Sequence, residues 1–277
     1  MLFSRMVGGL GNQLFQTAAF LKYRSQREKV IISFLGDIHI PKRENCLDYI
    51  FEKPGWLYYD DSKNLNQFTK FVAKNSAYLR LGSYLPIVSI NDRNFYLKNS
   101  RNFFKKTLFL DGYFNKNWTL SSLIYAFKQL KLREIRLRRE YLENCREDVI
   151  IHIRGADFLD IPNLNICKID YYKNSIKYFI SIGHRSFKVI SEDQIYAREL
   201  INQLKNYFVD IKIKKIKSES IKNDFNIIRS SRFAILSNST FSWWASFLSN
   251  SKNIFLVPYS FSLKEKRMLL PNEKIIS

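Results

Sequence analysis

The sequence has 277 residues, of which 46% are hydrophobic and 16% aromatic, and this apolar content excludes a disordered chain. Nine glycines and six prolines exclude collagen-like and proline-rich linker proteins. The formal net charge of +20 calls for an anionic partner, which can be nucleic acid, an anionic membrane surface or a phosphate-bearing substrate.

The first half of the chain opens with the pattern of a strand, a glycine-rich turn and a helix. Apolar periodicity predicts strands over residues 2–7, 30–34 and 104–110, and helices over 13–27 and 119–143. The aromatic stretch 40–105 gives no clear pattern. The last of these strands ends at the turn Asp111-Gly112.

The second half alternates regularly between strands and helices. Strands are predicted over residues 149–153, 187–190, 209–213, 233–236 and 254–257, and helices over 171–180, 195–207, 221–228 and 240–248. This alternation predicts an α/β fold with a mostly parallel sheet, helices on both faces and right-handed crossovers. We expect the boundary between the halves within 141–148, which gives domains 1–147 and 148–277.

Ligands of doubly wound sheets bind outside the carboxyl ends of the strands, and both halves carry motifs at such ends. We therefore expect a site in a cleft between them. The first motif, GGLGNQ at residues 8–13, follows a strand and opens a helix. It is not a dinucleotide fingerprint, because Leu14 stands where the third glycine belongs. This motif has two interpretations. It is either a tight turn, or a loop in which Gly9, Gly11 and Asn12 let a sugar or phosphate approach the backbone.

The second motif, HIRGAD at residues 152–157, follows the most apolar strand of the chain. Because side chains alternate along a strand, His152 and Arg154 share a face. Arginine suits a phosphate, since its planar guanidinium donates two parallel hydrogen bonds. The alternative is a structural ion pair between Arg154 and Asp157.

The third motif, SNSTFSWWA at residues 237–245, joins a strand to a helix. Its small polar residues suit the start of a helix and could hold a phosphate there, or could simply cap that helix. Trp243 and Trp244 lie about 100° apart on the helix, so we expect one in the core and the other at the cleft.

A fourth pair of residues, Glu192 and Asp193, follows the strand at 187–190. Their carboxylates could accept hydrogen bonds from the N1–H and N2–H groups of a guanine. The alternative is that they cap the helix that comes next.

The sequence shows neither a metal-binding motif nor the pattern of a signal peptide. The three cysteines, Cys46, Cys145 and Cys167, are scattered and form no CxxC pair, and no DxD motif occurs. We therefore expect neither a metal site nor disulfides. The N-terminus lacks a clean apolar core for a signal peptide, and no apolar run is long enough to span a bilayer. These features predict a cytoplasmic protein.

At these motifs the chain resembles the bacterial α-1,2-fucosyltransferases of glycosyltransferase family 11. That family carries a GGLGNQLFQ-type segment, an LDGYF segment and an SNSxFSWW segment. Here residues 8–16 read GGLGNQLFQ, residues 110–114 read LDGYF and residues 237–244 read SNSTFSWW. Further similarities are DYYKNSI from Asp170 onwards and the H-x-R pattern. Together these matches span most of the chain.

The resemblance implies a GT-B-like fold of two Rossmann-like halves with a donor cleft between them. The N-terminal half would lie on the acceptor side and the C-terminal half would bind the GDP-sugar. The implied activity is inverting and metal-independent: L-fucose moves from GDP-fucose to a hydroxyl, often galactose O-2, of a bacterial surface glycan such as O-antigen. The GDP-sugar is then a co-substrate, and no cofactor is required.

The resemblance also implies roles for individual residues. Arg154 would contact the β-phosphate, Ser239, Thr240 and Phe241 would hold the phosphates, and Glu192 or Asp193 would read the guanine. Asn12 and the glycine loop would lie by the transferred sugar. Apart from the resemblance, Asp111 and Trp243 are candidate acceptor-binding residues. The candidate catalytic bases are His152, Asp157 and Asp111.

The chain departs from the family at one point, since HIRGAD stands where the family usually has HxRRGD. The site has therefore lost one cation, and three alternatives to fucosyl transfer stay open. They are transfer of a related GDP-deoxysugar such as colitose, an inactive lectin-like relative, and a basic nucleic-acid-binding protein. Because no nucleic-acid-binding signature accompanies the charge, no nucleic acid is expected. We expect instead an oligosaccharide or lipid-linked glycan acceptor. The basic charge has two interpretations, a solvated basic surface or a face that rests on an anionic membrane such as the inner membrane.

Overall fold

The structure, a computed structural model, divides the chain into two compact units, Met1–Arg133 and Glu134–Ser277. It describes residues 2–24, 29–34, 44–60, 87–92, 107–135, 137, 147–155, 167–217, 219–262, 265–266 and 268–276. The expected boundary after residue 147 falls within the second unit, directly before its first strand. The acceptor and donor roles of the two domains stay predictions.

The first unit is built on a parallel sheet of five strands. Its strands are β1 (Leu2–Arg5), β2 (Val30–Ser33), β3 (Leu57–Tyr59), β4 (Ile87–Ile90) and β5 (Thr107–Leu110). Its helices are α1 (Leu10–Tyr23), a short 3₁₀ helix (Leu47–Tyr49) and α2 (Leu120–Phe127). The strand order is β3-β2-β1-β5-β4, and every pair is parallel. The order therefore changes direction between β1 and β5.

The second unit is built on a parallel sheet of six strands. These are β6 (Val149–Ile153), β7 (Ser186–Ser191), β8 (Lys212–Lys215), β9 (Phe233–Ile235), β10 (Ile254–Pro258) and β13 (Glu273–Ile276). The helices between them are α3 (Ile169–Ser181), α4 (Gln194–Tyr207), α5 (Ile221–Ser230) and α6 (Thr240–Phe247), and a small ribbon adds β11 (Ser260–Ser262) and β12 (Glu265–Lys266). The order β13-β10-β9-β6-β7-β8 changes direction between β6 and β9.

The core of the second unit accounts for the continuous apolar run of its central strand, β6. All five residues of β6 are buried, since the strand lies in the middle of a sheet covered on both faces. The side chains of α3 pack there, with Tyr172, Ile176 and Phe179 fully enclosed. The predicted α/β class and parallel sheet are confirmed.

The predicted elements of the second half are all present, with ends that differ by at most three residues. The final strand, β13, was not predicted. In the first half β1, α1, β2 and β5 are confirmed, while β3 and β4 lie in the stretch that gave no pattern.

The helical prediction over residues 119–143 is wrong for residues 128–135, which follow α2, and residues 138–143 lie outside the described residues. The backbone after α2 pairs instead with residues near the 3₁₀ helix. Arg133 N donates to Ile50 O at 2.8 Å, and Glu52 N donates to Lys131 O at 2.9 Å. An antiparallel bridge joins Phe51 to Leu132. These bonds use the backbone groups that a longer helix would need.

Across the residues that the structure describes, no helix is both long and apolar enough to cross a membrane. Cys46 and Cys167 are buried. Cys145 lies outside the described residues.

Candidate functional site

The carboxyl ends of β6 and β9 meet where the strand order of the second sheet changes direction. Ile151 pairs with Ile235 in the register of these strands. Just beyond that pair, His152 Nδ1 lies 2.7 Å from Ser237 Oγ. Open α/β sheets bind their ligands in the crevice at such a point. The structure thus brings the HIRGAD and SNSTFSWW motifs together at the position where a ligand is expected.

His152 is buried, and its surroundings decide its charge. Burial, and to a lesser degree the positive charge of Arg154, lower the pKa of His152 to about 3. The ring packs against Phe241 with centroids 5.6 Å apart, and Phe241 in turn packs against Phe225. A neutral imidazole bonded to Ser237 is suited to holding the two strand ends together. As a proton acceptor it would be weak.

Arg154 follows the end of β6 and forms an ion pair with Glu192, which follows β7. The Arg154 side chain is 21% exposed and that of Glu192 is 51% exposed. The flexible glutamate lies mostly in solvent, so an anionic ligand can displace it from the guanidinium. The alternative partner, Asp157, lies outside the described residues.

Asp193 caps the helix that follows it. Its Oδ1 accepts hydrogen bonds from Ile195 N at 3.1 Å and from Tyr196 N at 3.0 Å. The capping alternative therefore holds for Asp193, which uses one carboxylate oxygen for this purpose. The contact of Glu192 with guanine stays a prediction.

The lack of space around residue 155 explains in part why this chain has HIRGAD where the family usually has HxRRGD. A Cβ atom at this position would lie 2.6 Å from Asp193 Oδ2 and 2.8 Å from a ring carbon of Tyr196. Both distances are too short for nonbonded atoms, so any side chain at residue 155 requires α4 or its cap to move. The second arginine of the family pattern has no room beside this helix cap.

The SNSTFSWW segment is fixed by its own hydroxyl groups. Ser239 Oγ accepts from Phe241 N at 3.2 Å and caps α6. Ser242 Oγ donates to Ser237 O and Ser239 O. Thr240 and Phe241, in the first turn, are partly exposed. The N-terminus of α6 thus begins beside Ser237, where a helix favours negative charge.

The expectation that one tryptophan of this segment reaches a ligand is wrong. Trp243 and Trp244 are 1% and 0% exposed. The Trp243 ring stacks on Phe247, and its Nε1 donates to Met268 O at 2.9 Å. The two rings point in different directions from the helix, but neighbouring residues cover both of them. Trp243 therefore gains no support as an acceptor-binding residue.

In the first unit, two buried glutamines fix the glycine loop between β1 and α1. Gln16 Oε1 accepts from Val7 N at 3.0 Å, and Gln16 Nε2 donates to Val7 O at 3.2 Å. Gln13 Nε2 donates to Gly8 O and to Glu44 O. Gly8 has a φ of +77°, which favours glycine.

The loop itself is shaped so that its backbone stays accessible. Asn12 folds against Gly8, since a Cβ there would lie 2.4 Å from Asn12 Nδ2. Gly9 is exposed, and a Cβ on it would meet no atom within 4 Å. Gly11 is buried in the first turn of α1. The arrangement allows a ligand to approach the backbone at Gly9, as one of the two readings of this motif requires.

Asp111 lies at the carboxyl end of β5, beside β1, and pairs with Arg5. It therefore occupies the first unit's own change of strand order. Among the described residues, no three histidine, cysteine or acidic side chains converge as a metal site would require.

Sequence reasoning assigned no individual role to several residues that shape these sites. Four of them lie within the motifs, namely Gln13, Gln16, Ser237 and Ser242, and Asp92 lies outside them. Each is a polar residue whose partners include main-chain groups or a distant side chain. The sequence did contain one sign of these contacts, because Gln13 and Gln16 stand among the apolar residues of a helix. A polar residue on a core face needs a partner, and here the partner is the loop.

Comparison with known proteins identifies relatives over most of the chain. The model of the family described as Glycosyl transferase family 11 matches residues 68–274. The O-antigen biosynthesis glycosyltransferase WbnK of Escherichia coli is 22% identical, over 92% of this chain and 93% of that protein. An alpha-1,2-colitosyltransferase of Escherichia coli is 24% identical, over 89% of this chain and 87% of that protein.

Among solved structures, the fold resembles that of POFUT1 crystallised in complex with GDP-fucose. The TM-score is 0.52 at 12% identity, with 92% of this chain and 97% of that chain covered. A second crystal form of the same complex gives a TM-score of 0.50. At this identity the likeness concerns the fold. The predicted GT-B-like α/β fold with two Rossmann-like halves is confirmed.

Proposed function

Because the chain belongs to glycosyl transferase family 11, we propose that it transfers L-fucose from GDP-fucose to a galactose O-2 hydroxyl. The acceptor is a bacterial surface glycan such as O-antigen, as the name of the WbnK relative suggests. The transfer inverts the anomeric centre and needs neither a metal nor a cofactor.

The observation that carries the proposal is the group of residues at the β6/β9 strand ends. Arg154 and the N-terminus of α6 lie on the elements that His152 and Ser237 tie together. A guanidinium and helix N–H groups are the donors that a diphosphate needs. In the proposed complex the diphosphate takes the place of Glu192 on Arg154, and Glu192 turns to the guanine.

The proposed reaction places the growing charge on these donors. The acceptor oxygen bonds to the anomeric carbon, the bond from that carbon to the diphosphate breaks, and its electron pair stays on the departing GDP. The hydroxyl proton passes to water. Fixed donors that stabilise such a charge are each worth about 3–4 kcal/mol, by comparison with oxyanion-hole deletions. Arg154 is the main contributor in this scheme.

A second donor, GDP-colitose, is the alternative that one specific observation favours. One of the two relatives is an alpha-1,2-colitosyltransferase. The substitution of Gly155 for the usual second arginine changes the donor site in this chain. Colitose lacks a hydroxyl that fucose has, so the two donors can be distinguished directly.

The experiment measures nucleotide release from GDP-fucose, GDP-colitose, GDP-mannose and a UDP-sugar, with EDTA present and with galactose-terminated acceptors added in parallel. We expect release from one GDP-deoxysugar. Arg154→Ala should lower that turnover about 100-fold or more while the protein stays folded. Lys188→Ala serves as the control, because Lys188 of β7 pairs with Asp148, which directly precedes the amino end of β6.

Other outcomes contradict the proposal in distinct ways. Normal turnover by a folded Arg154→Ala protein would remove Arg154 from the mechanism. GDP binding without release from any donor would indicate an inactive relative. No GDP binding, together with steeply salt-dependent oligonucleotide binding, would favour the nucleic-acid alternative.

A further inference from the structure

The first unit carries a polar group at its own change of strand order. Ser4 pairs with Leu110 in the register of β1 and β5, so Arg5 and Asp111 are the next residues on the two strands. Arg5 Nε and Nη2 both lie 2.9 Å from Asp111 Oδ1. Their side chains are 19% and 21% exposed. An ion pair thus stands at the crevice where open sheets bind ligands.

The geometry of this pair suits a neutral polar ligand better than an anion. Both contacts with Arg5 fall on one oxygen of Asp111, so Oδ2 can accept a hydrogen bond from a hydroxyl group. The Asp111 side chain is shorter and less exposed than that of Glu192. The longer, half-exposed Glu192 can leave Arg154, so the two ion pairs differ in what they offer a ligand.

The turn after Asp111 is rigid and presents an aromatic ring. Asp92 accepts hydrogen bonds from Phe114 N at 2.6 Å and from Tyr113 N at 3.0 Å. Gly112 lies against Asp92, because a Cβ there would be 2.7 Å from the carboxylate. Tyr113 remains 42% exposed. Tyr113 follows Asp111 by two residues. A carboxylate can accept hydrogen bonds from the hydroxyls of a sugar, and an exposed aromatic ring can pack against its C–H face.

We propose that Asp111 and Tyr113 form the binding site for the acceptor sugar, with Asp111 Oδ2 accepting a hydrogen bond from a hydroxyl of a terminal galactoside. Arg5 is a positioning residue that fixes the carboxylate. The inference rests on the proposed function and extends it, since it assigns acceptor recognition to a defined group in the first unit.

The test compares Asp111→Asn with the wild-type chain at saturating donor and increasing concentrations of methyl β-D-galactopyranoside and lactose. We expect the KM for the acceptor to rise about tenfold or more, because a hydrogen bond to a charged acceptor is lost. GDP affinity, measured by calorimetry, should stay within about twofold. Asp148→Asn is the matched control, because Asp148 is also a partly buried partner of a cation.

A second variant keeps the test independent of folding. The charge swap Arg5→Asp with Asp111→Arg retains an ion pair across the same strand ends but removes the carboxylate from residue 111. We expect it to fold, to bind GDP and to lose acceptor binding in saturation-transfer NMR with methyl β-D-galactopyranoside. A swapped or Asp111→Asn protein with an unchanged acceptor KM would overturn the inference. A wild-type chain that binds the galactoside yet releases no GDP from any donor would instead count against the proposed function alone.

Discussion

His152 is enclosed at the end of β6, where burial and the Arg154 guanidinium lower the pKa of its imidazole to about 3. The neutral ring lies 2.7 Å from Ser237 and joins two strand ends that are 85 positions apart in the chain. The burial that weakens His152 as a base thus also lets it hold the two strand ends together. Gly155 is constrained in a related way, since the cap of α4 fills the space beside it.

The first prediction concerns the free energy of unfolding as a function of pH. In the unfolded chain His152 takes up a proton as the pH falls through its ordinary pKa of about 6.5. In the folded protein it stays neutral down to a pKa of about 3. The contribution of His152 to the free energy of unfolding is therefore fully present above about pH 6.5. It is lost between about pH 6.5 and 3, by up to about 1.4 kcal/mol per pH unit.

Urea unfolding between pH 7 and pH 4 checks this expectation. The stability of a His152→Asn variant should fall less steeply with decreasing pH than that of the wild type, by about one proton. His184→Asn is the comparison variant: burial also lowers the pKa of His184, but this residue is less enclosed, so we expect a smaller change in slope. Equal slopes for wild type and His152→Asn would contradict the assignment.

At the scale of whole elements, helix α1 acts as a support for the loop that precedes it. It is buried along most of its length, and its two glutamines point at main-chain groups rather than at a ligand. The GGLGNQLFQ motif thus combines an accessible backbone at Gly9 with a fixed loop geometry. Helix α6 supports the second site similarly, through Ser239 and Ser242.

The second prediction tests this supporting role of α1. Gln16→Leu removes both hydrogen bonds to Val7 and leaves a buried N–H and C=O without a partner. The free energy of unfolding should fall by about 2–4 kcal/mol, since each such group costs about 1–3 kcal/mol. Urea unfolding measures the change. The matched control is Gln203→Leu on the exposed face of α4, which should change stability by less than about 0.5 kcal/mol.

At the scale of the whole molecule, each unit is a parallel sheet whose strand order changes direction once, with polar groups at that point. The second unit offers a cation and a helix N-terminus, and the first offers a carboxylate held by an arginine. The net charge of +20 is a property of the entire chain rather than of either site.

The third prediction follows from that charge. The protein should sediment with vesicles that contain anionic phospholipid and not with purely zwitterionic vesicles, since basic residues near such a surface contribute about 1 kcal/mol each. Raising the salt concentration to about 0.5 M should release it, because the salt screens exposed charges. Equal binding to both kinds of vesicle, or binding that ignores salt, would contradict an electrostatic origin.

The sequence was enough to predict β6 to β10 and α3 to α6 in the second half, the class of fold and the positions of the motifs at strand ends. It could do so because apolar periodicity and turn residues act over a few positions along the chain. The motifs also pointed to the family. The same local reasoning extended α2 too far, because the backbone after Phe127 pairs with residues about 80 positions earlier.

Only the tertiary structure decided which polar groups meet. The contacts of His152 with Ser237 and of Arg5 with Asp111 join residues 85 and 106 positions apart. Both depend on the order of strands in a sheet, which periodicity does not encode. Packing likewise buried both tryptophans and left Gly155 no space beside the cap of α4. Burial and strand order are properties of the assembled sheet, so the chemistry of these residues became defined only there.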